Sequence, residues 1–150
     1  MSGTNPAKDR GTKVETKVLA FLRAETGQPG VERQPPRGRR DQGDLAGLRV
    51  RGFDAVVEVK AHKSVTRKAL AEFRRQTLAE RENAGAGVGI LVTWRYNHGA
   101  AEATAHVTLR DLARVARPLR VNEGHMDEAD GSWVSMTLAE LCALIDDKEE

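Results

Sequence analysis

A strand covered on both faces is written into residues 88–94, Val-Gly-Ile-Leu-Val-Thr-Trp. The run is almost continuously apolar, short, and bounded upstream by Gly85 and Gly87, whereas a half-exposed strand would alternate. Just before it, residues 67–84 read as a helix with Leu70, Phe73 and Leu78 toward the core and Arg67, Lys68, Arg74 and Arg75 outward. A buried strand beside a helix makes α/β the expected class: a mixed sheet of about five strands flanked by helices, one domain over residues 11–150.

Residues 12–26 place Val14, Val18, Leu19, Phe21 and Leu22 at the spacing of an amphipathic helix, closed by Gly27 and Pro29-Gly30, while residues 1–10 read as a flexible lead. An extended piece at 31–34 enters Pro35-Pro36-Arg37-Gly38-Arg39-Arg40, a basic loop kept irregular by its prolines and glycine. Residues 45–50 and 55–60 have strand composition around Arg51-Gly52, the pattern of an antiparallel hairpin. With Val50, Arg51 and Gly52 as a three-residue loop, Arg49 faces Phe53 and Asp44 faces Glu58. Further on, 104–109 reads as a strand, 111–116 as a short helix and 122–131 as an acidic loop. Residues 133–136 read as extended and 137–147 as a closing helix, with Thr137 and Glu140 in capping-box spacing.

No apolar run approaches the ~20 residues of a membrane span, and residues 1–10 hold no signal-peptide core, so a cytoplasmic protein with no membrane partner is expected. The single cysteine, Cys142, allows no internal disulfide and falls in an apolar helical pattern that suits a buried thiol. The net charge of +2 hides an asymmetry. Residues 1–75 hold 17 Lys and Arg against 9 Asp and Glu, a net of +8, and residues 76–150 hold 7 against 13, a net of −6. A basic half suits a phosphate-backbone partner, because neutralising phosphates releases condensed counterions; a merely solubilising surface is the competing reading.

The chemistry concentrates in Gly43-Asp44 and Glu58-Val59-Lys60. Alternate residues of a strand share a face, so Glu58 and Lys60 project together with Val56, and the hairpin brings Asp44 to the same place. Like charges across a strand pair repel, and clustered carboxylate oxygens are what Mg²⁺ or Mn²⁺ binds. A lysine two residues from such a glutamate can position a water or offset negative charge developing on a phosphate. These are the parts of a phosphodiesterase.

With Glu15 in the first helix, the loop Arg37-Gly38-Arg39-Arg40-Asp41, Gly43-Asp44-Leu45, Glu58-Val59-Lys60 and the helix after it, the chain resembles the PD-(D/E)XK nuclease superfamily. Within it, the chain is most similar to the small Holliday-junction resolvases of archaea and bacterial viruses. The likeness spans roughly residues 11–95, with Gly43 where that family frequently has proline. It implies a restriction-endonuclease-like sheet, Asp44 and Glu58 as metal ligands, Lys60 as water-positioning residue or general base, and Glu15 as a further carboxylate assisting Mg²⁺ or Mn²⁺. The implied activity is cleavage of four-way DNA junctions by a twofold homodimer, because resolution needs two symmetric cuts. Residues 88–94 or the C-terminal segment are expected to form the dimer interface. Phosphate contacts are expected from Arg37, Arg39 and Arg40, joined by Lys63 and Arg67.

Competing readings remain for several residues. Glu15 stands three residues after Thr12 and also fits the capping-box partner of a helix start, although the stripe 15, 18, 19, 22 turns it toward the core. Asp41 and Asp54 are read as solvated, and Gln76 as an exposed helix residue rather than part of the site. His62, His98, His106 and His125 show no metal-ligand spacing. Trp94, Tyr96 and Trp133 are either buried or stacked on bases. At the level of function, a related nuclease of repair or restriction type and a non-catalytic DNA-binding module both compete with junction cleavage.

Overall fold

The apolar run at 88–94 is the middle of the molecule. In a computed structural model that describes residues 6–35, 38–116 and 131–145, it lies in strand β4, Val88–Arg95, which is buried continuously from Val88 through Val92. Before it come α1 (Pro6–Thr26), β1 (Glu32–Arg33), a 3-10 turn (Gly38–Arg40), β2 (Leu45–Val50), β3 (Phe53–His62) and α2 (Arg67–Ala84). After it come a second 3-10 turn (Ala100–Glu102), β5 (Thr104–Thr108), α3 (Leu109–Val115), β6 (Trp133–Thr137) and α4 (Leu138–Ile145). The strands form one mixed sheet in chain order, with β3 and β4 parallel and every other neighbouring pair antiparallel. The sheet has six strands rather than about five, the addition being the two-residue β1. The parallel pair needs a crossover, and α2 supplies it.

The two faces of the sheet differ in chemistry. On one, α1 sets Val14, Val18, Leu19 and Leu22 against Val57, Val59, Ile90 and Val92, with Leu141 and Cys142 of α4 in the same cluster. Alternation along β3 sends Val56, Glu58 and Lys60 to the opposite face, beneath α2. There the helix buries Thr77, Glu80 and Arg81, and Gly89 lets it approach: a Cβ on Gly89 would lie 3.3 Å from Arg81 Cβ and 3.4 Å from Thr77 Cγ2. Leu70, Phe73 and Leu78, expected to be the core face of α2, are only half-buried, and Arg74, expected outward, is half-buried with its guanidinium 5.3 Å from the Trp133 ring centroid. The stripe begun by Leu70 and Phe73 continues through 77, 80 and 81, so helical geometry carries polar residues inward.

What holds α2 on this polar face is an ion pair. Arg81 Nη1 lies 3.0 Å from both oxygens of Asp111, and Asp111 Oδ2 also accepts the Gly89 N–H at 2.9 Å. Asp111 is in turn the third residue of α3, where its own N–H donates to the Thr108 N-cap hydroxyl. One carboxylate thus ties α2, α3 and β4 together.

The hairpin differs in register from expectation, in a way that preserves its outcome. Val50 pairs with Phe53 and Arg49 with Asp54, leaving a two-residue turn of Arg51 and Gly52, both at positive φ (46° and 86°). Arg49, expected to face Phe53, is one step displaced. The register then shifts between Leu48 and Leu45, so that Leu45 pairs with Val57 and Asp44 arrives beside Glu58 after all. The bulge is made at Gly47, with φ 83°, where a Cβ would fall 2.2 Å from the Gly30 carbonyl oxygen. Gly47→Ala is therefore expected to cost about 3 kcal/mol, from the strained φ and the displaced backbone. Urea unfolding should show it as a midpoint lowered by more than about 1 M; an unchanged midpoint would remove this glycine from the account.

Several boundaries moved. Residues 6–10, expected to be flexible, are the first turns of α1; proline suits a helix start, where its fixed φ and missing N–H are harmless. The 104–109 strand ends at Thr108, and α3 starts at Leu109. Thr137 caps the closing helix as half of the expected box: Glu140 N donates to Thr137 Oγ1 at 3.1 Å, while the Glu140 carboxylate accepts the Thr137 hydroxyl, at 2.9 Å, instead of its backbone N–H. The acidic loop expected at 122–131 lies almost wholly outside the described residues, as do His125 and residues 146–147 of the closing helix. Residues 88–94 cannot form a dimer interface, because β4 is flanked by β3 and β5 and covered by helices. No described helix is long and apolar enough to cross a membrane.

Candidate active site

Beyond Leu45, β2 leaves β3, and at that point Gly43 and Asp44 close over the strand. Asp44 N donates to the Val57 carbonyl at 2.9 Å, and Asp44 Oδ2 accepts the Val59 N–H at 2.8 Å, so the side chain takes over where the backbone ladder stops. Gly43 has φ 86° and runs so near β3 that a Cβ would lie 3.2 Å from the Val57 oxygen. Proline, with φ near −65°, cannot replace glycine in this conformation.

Asp44 and Glu58 line one small pocket, of about 70 Å³, together with Gln34, Asp41, Gly43, Gln76 and Glu80. Lys60 Nζ lies 2.9 Å from Glu58 Oε1 and 5.4 Å from the Phe73 ring centroid, which packs the lysine stem against α2. From α2, Gln76 Nε2 donates to Glu80 Oε1 at 3.0 Å and approaches Glu58 Oε1 at 3.4 Å. Glu80 Oε2 is buried with no hydrogen-bond partner among the described residues.

The electrostatics follow from burial. Burial, then the charge on Glu58, pushes the Asp44 carboxyl up to about 7, against the pull of the Val59 N–H. Burial, then the neighbouring Glu80 carboxyl, pushes Glu58 up to about 8. Glu80 is raised as well, first by burial. Burial acts to lower Lys60, but Glu58, with Asp44 and Glu80 behind it, more than offsets this and holds the ammonium charged above its usual range. As it stands, Lys60 is therefore a positioned cation rather than a base.

The donor set suits a hard divalent cation: carboxylate oxygens of Asp44, Glu58 and Glu80, one of them buried without a partner, in a site where mutual repulsion raises their affinity for positive charge. Among the described residues, no three Asp, Glu, His or Cys side chains converge on a single ion position, and Glu58 Oε1 is engaged by Lys60.

Of the residues expected here, Asp44, Glu58 and Lys60 come together. Glu15 is close enough for its charge to act on Asp44, yet its Oε2 is held by Arg33 Nη2 of β1 at 2.5 Å. Its capping role is ruled out, because α1 begins six residues before Thr12 and the Thr12 carbonyl accepts the Thr16 hydroxyl inside the helix. Gln76, expected to be exposed, and Asp41, expected to be solvated, both line the pocket. Asp54 is indeed exposed, paired with Arg49 at 2.7 Å. Arg40, Lys63 and Arg67 are exposed, Arg40 one residue before Asp41 at the pocket rim. Arg37 and the side chain of Arg39 lie outside the described residues.

Glu80 was missed, and Arg33 with it. The available signal for Glu80 was the stripe set by Leu70 and Phe73, which reaches residue 80 after two more turns. His106 is structural: its ring bonds Thr93 Oγ1 at 2.9 Å and Ser135 Oγ at 2.7 Å, and burial lowers it to about 4. No family model, curated protein or solved structure matches this chain.

Proposed function

We propose that this protein is a metal-dependent DNA endonuclease acting on branched DNA, of the Holliday-junction resolvase type. The observation that carries the reading is the placement of Asp44 and Glu58 side by side in one small pocket, with Lys60 paired to Glu58, on a strand whose ladder to β2 has ended. Burying acidic groups against one another is costly, and a site that gathers a cation accounts for it. The likeness of Gly43-Asp44 and Glu58-Val59-Lys60 to the PD-(D/E)XK nucleases supports the same chemistry.

In this reading Asp44 and Glu58 would hold Mg²⁺ or Mn²⁺, with Glu80 beside them in the pocket and Gln76 orienting the two glutamates through its amide. A bound divalent ion supplies Lewis-acid polarisation of the phosphoryl oxygen and a water of lowered pKa. Lys60, held protonated, aligns the attacking water and offsets charge growing on the phosphate. Arg33 holds Glu15 next to Asp44, where it adds negative potential to the cation site. Arg40, Lys63 and Arg67, with Arg37 and Arg39 in the same loop as Arg40, contact phosphates and set the DNA's position without reading its bases.

Paired cuts across a junction require a twofold homodimer. With β4 enclosed, the edge strand β6 and helix α4 are the remaining part of the expected interface. Sedimentation of the full chain tests this. A labelled four-way junction, compared with a linear duplex of the same sequence in Mg²⁺ or EDTA, tests the activity. Symmetric nicks in the junction alone, absent in EDTA, are expected. Equal cutting of duplex would move the substrate to another branch of nuclease chemistry. The closed Lys60–Glu58 pair favours one second reading, a DNA-binding module of the same fold, and tight binding without cutting in either metal would establish it.

A further inference from the structure

We propose that the groove between α1 and the C-terminal end of β4 is a second nucleic-acid site, shaped for an unpaired DNA strand. The open groove encloses about 490 Å³ and shares no lining residue with the carboxylate pocket. One wall is Arg10, Lys13 and Lys17 of α1; the other is Trp94, Tyr96 and Asn97, and no acidic side chain among the described residues lines it.

The arrangement follows from two local patterns. Residues 10, 13 and 17 fall on one flank of a helix, beside the buried stripe of Val14 and Val18, and span about 10 Å, enough for successive phosphates of one strand. At the end of β4, Asn97 has φ 69° and turns the chain sharply just after Tyr96. This leaves the Tyr96 ring half-buried at the rim, with its hydroxyl 3.5 Å from the Ala61 carbonyl, above a Trp94 that is 5% exposed.

Cations already lie over both rings. The Arg10 guanidinium is 5.6 Å from the Tyr96 centroid and Lys17 Nζ is 5.9 Å from that of Trp94. The groove therefore matches a ligand that carries both a negative charge and a flat ring, which is a nucleotide. A base in a duplex has its faces covered by its neighbours, so only an unpaired base can stack on Tyr96 while its phosphates reach the α1 cations. Branched or flapped DNA supplies such nucleotides. The site adds a strand contact to the nuclease reading, but binding here does not require that reading to hold.

The test is fluorescence anisotropy of the full chain in EDTA, where cleavage plays no part, with a labelled single-stranded oligonucleotide and its duplex. Tyr96→Ala should weaken single-strand binding about tenfold and duplex binding less than twofold, and Tyr96→Phe should restore it. The double variant Lys13→Ala/Lys17→Ala should make the slope of log affinity against log salt shallower by about 1.4, the value for two phosphates of a single strand. These lysines are exposed, so this arm still decides the matter if Tyr96→Ala fails to fold. Unchanged binding in the lysine variant, equal losses on both DNAs, tighter binding of the matching RNA, or displacement of the strand by an equal concentration of a mononucleotide would each overturn the proposal.

Discussion

Glu58→Gln is expected to abolish metal-dependent cleavage and, at the same time, to stabilise the metal-free protein at alkaline pH. On the proposed function the loss of activity should be roughly 10²–10⁴-fold, because a neutral amide would not hold the divalent cation that the reading requires. The gain in stability has the opposite origin. Asp44 and Glu58 are raised to about 7 and about 8, so between pH 4 and 8 the folded protein binds more protons than the unfolded chain. Their contribution is present below their ordinary carboxylate range and is lost as pH rises through the folded values. Metal-free wild type should therefore lose stability between pH 5 and 9, seen as a falling Tm. Mg²⁺ or Mn²⁺ should reverse the fall, more strongly at pH 8 than at pH 6, because the ion competes with protons. In Glu58→Gln both the fall and the reversal should shrink. A Tm of metal-free wild type that rises from pH 6 to 9 would contradict the buried-carboxylate account, whatever the cleavage assay says.

Asp111→Ala should be the most destabilising single change outside the apolar core. It leaves the Arg81 guanidinium and the Gly89 N–H buried without the carboxylate that now faces them, in a pair whose side chains are 7% and 0% exposed. Breaking a buried pair by removing one partner costs about 3–5 kcal/mol, far more than the pair is worth against an apolar replacement of both. For a chain of this size the Tm should drop by roughly 10–15 °C. The double variant Arg81→Met/Asp111→Leu should recover much of that loss, since it removes both charges together. If Asp111→Ala melted within about 2 °C of wild type, α2 would have to be held by something other than this ion pair.

Since α2 carries Gln76 and Glu80 into the pocket, this second prediction also bears on the first. An Asp111→Ala protein that still folds should bind the divalent ion more weakly, although Asp111 does not line the pocket. The dry face, by contrast, positions Glu15 through α1, and damage there should reach the site only through Asp44.

The elements whose signals are local were legible without tertiary information. Residues 88–94 announce themselves by an almost continuous apolar run, and α2 by its helical pattern ended at Gly85, which is left-handed. The closing helix is marked by the Thr137–Glu140 box. Gly43-Asp44 and Glu58-Val59-Lys60 could be grouped as a candidate site because strand alternation puts Glu58 and Lys60 on one face whatever surrounds them.

Other features depend on contacts that no local pattern encodes. The bulge at Gly47 exists because the Gly30 backbone passes within reach, 17 positions away in the chain, and it corrects a register that the two-residue turn alone would have put one step off. Gln76 and Glu80 are active-site candidates only because α2 lies across β3 with a polar face inward, and that face is inward because Asp111, 30 residues after Arg81, is there to meet it. Glu15 was assigned to the neighbourhood of Asp44, and its competing role as a capping-box partner falls because the helix begins at Pro6, ahead of Thr12. From the chain alone came the α/β layering and the identity of Asp44, Glu58 and Lys60, because periodicity and alternation are properties of neighbouring residues. Only the packing decided which carboxylates share the pocket, how far their protons are held and where the basic groove opens, because burial and charge proximity arise between segments that meet only in three dimensions.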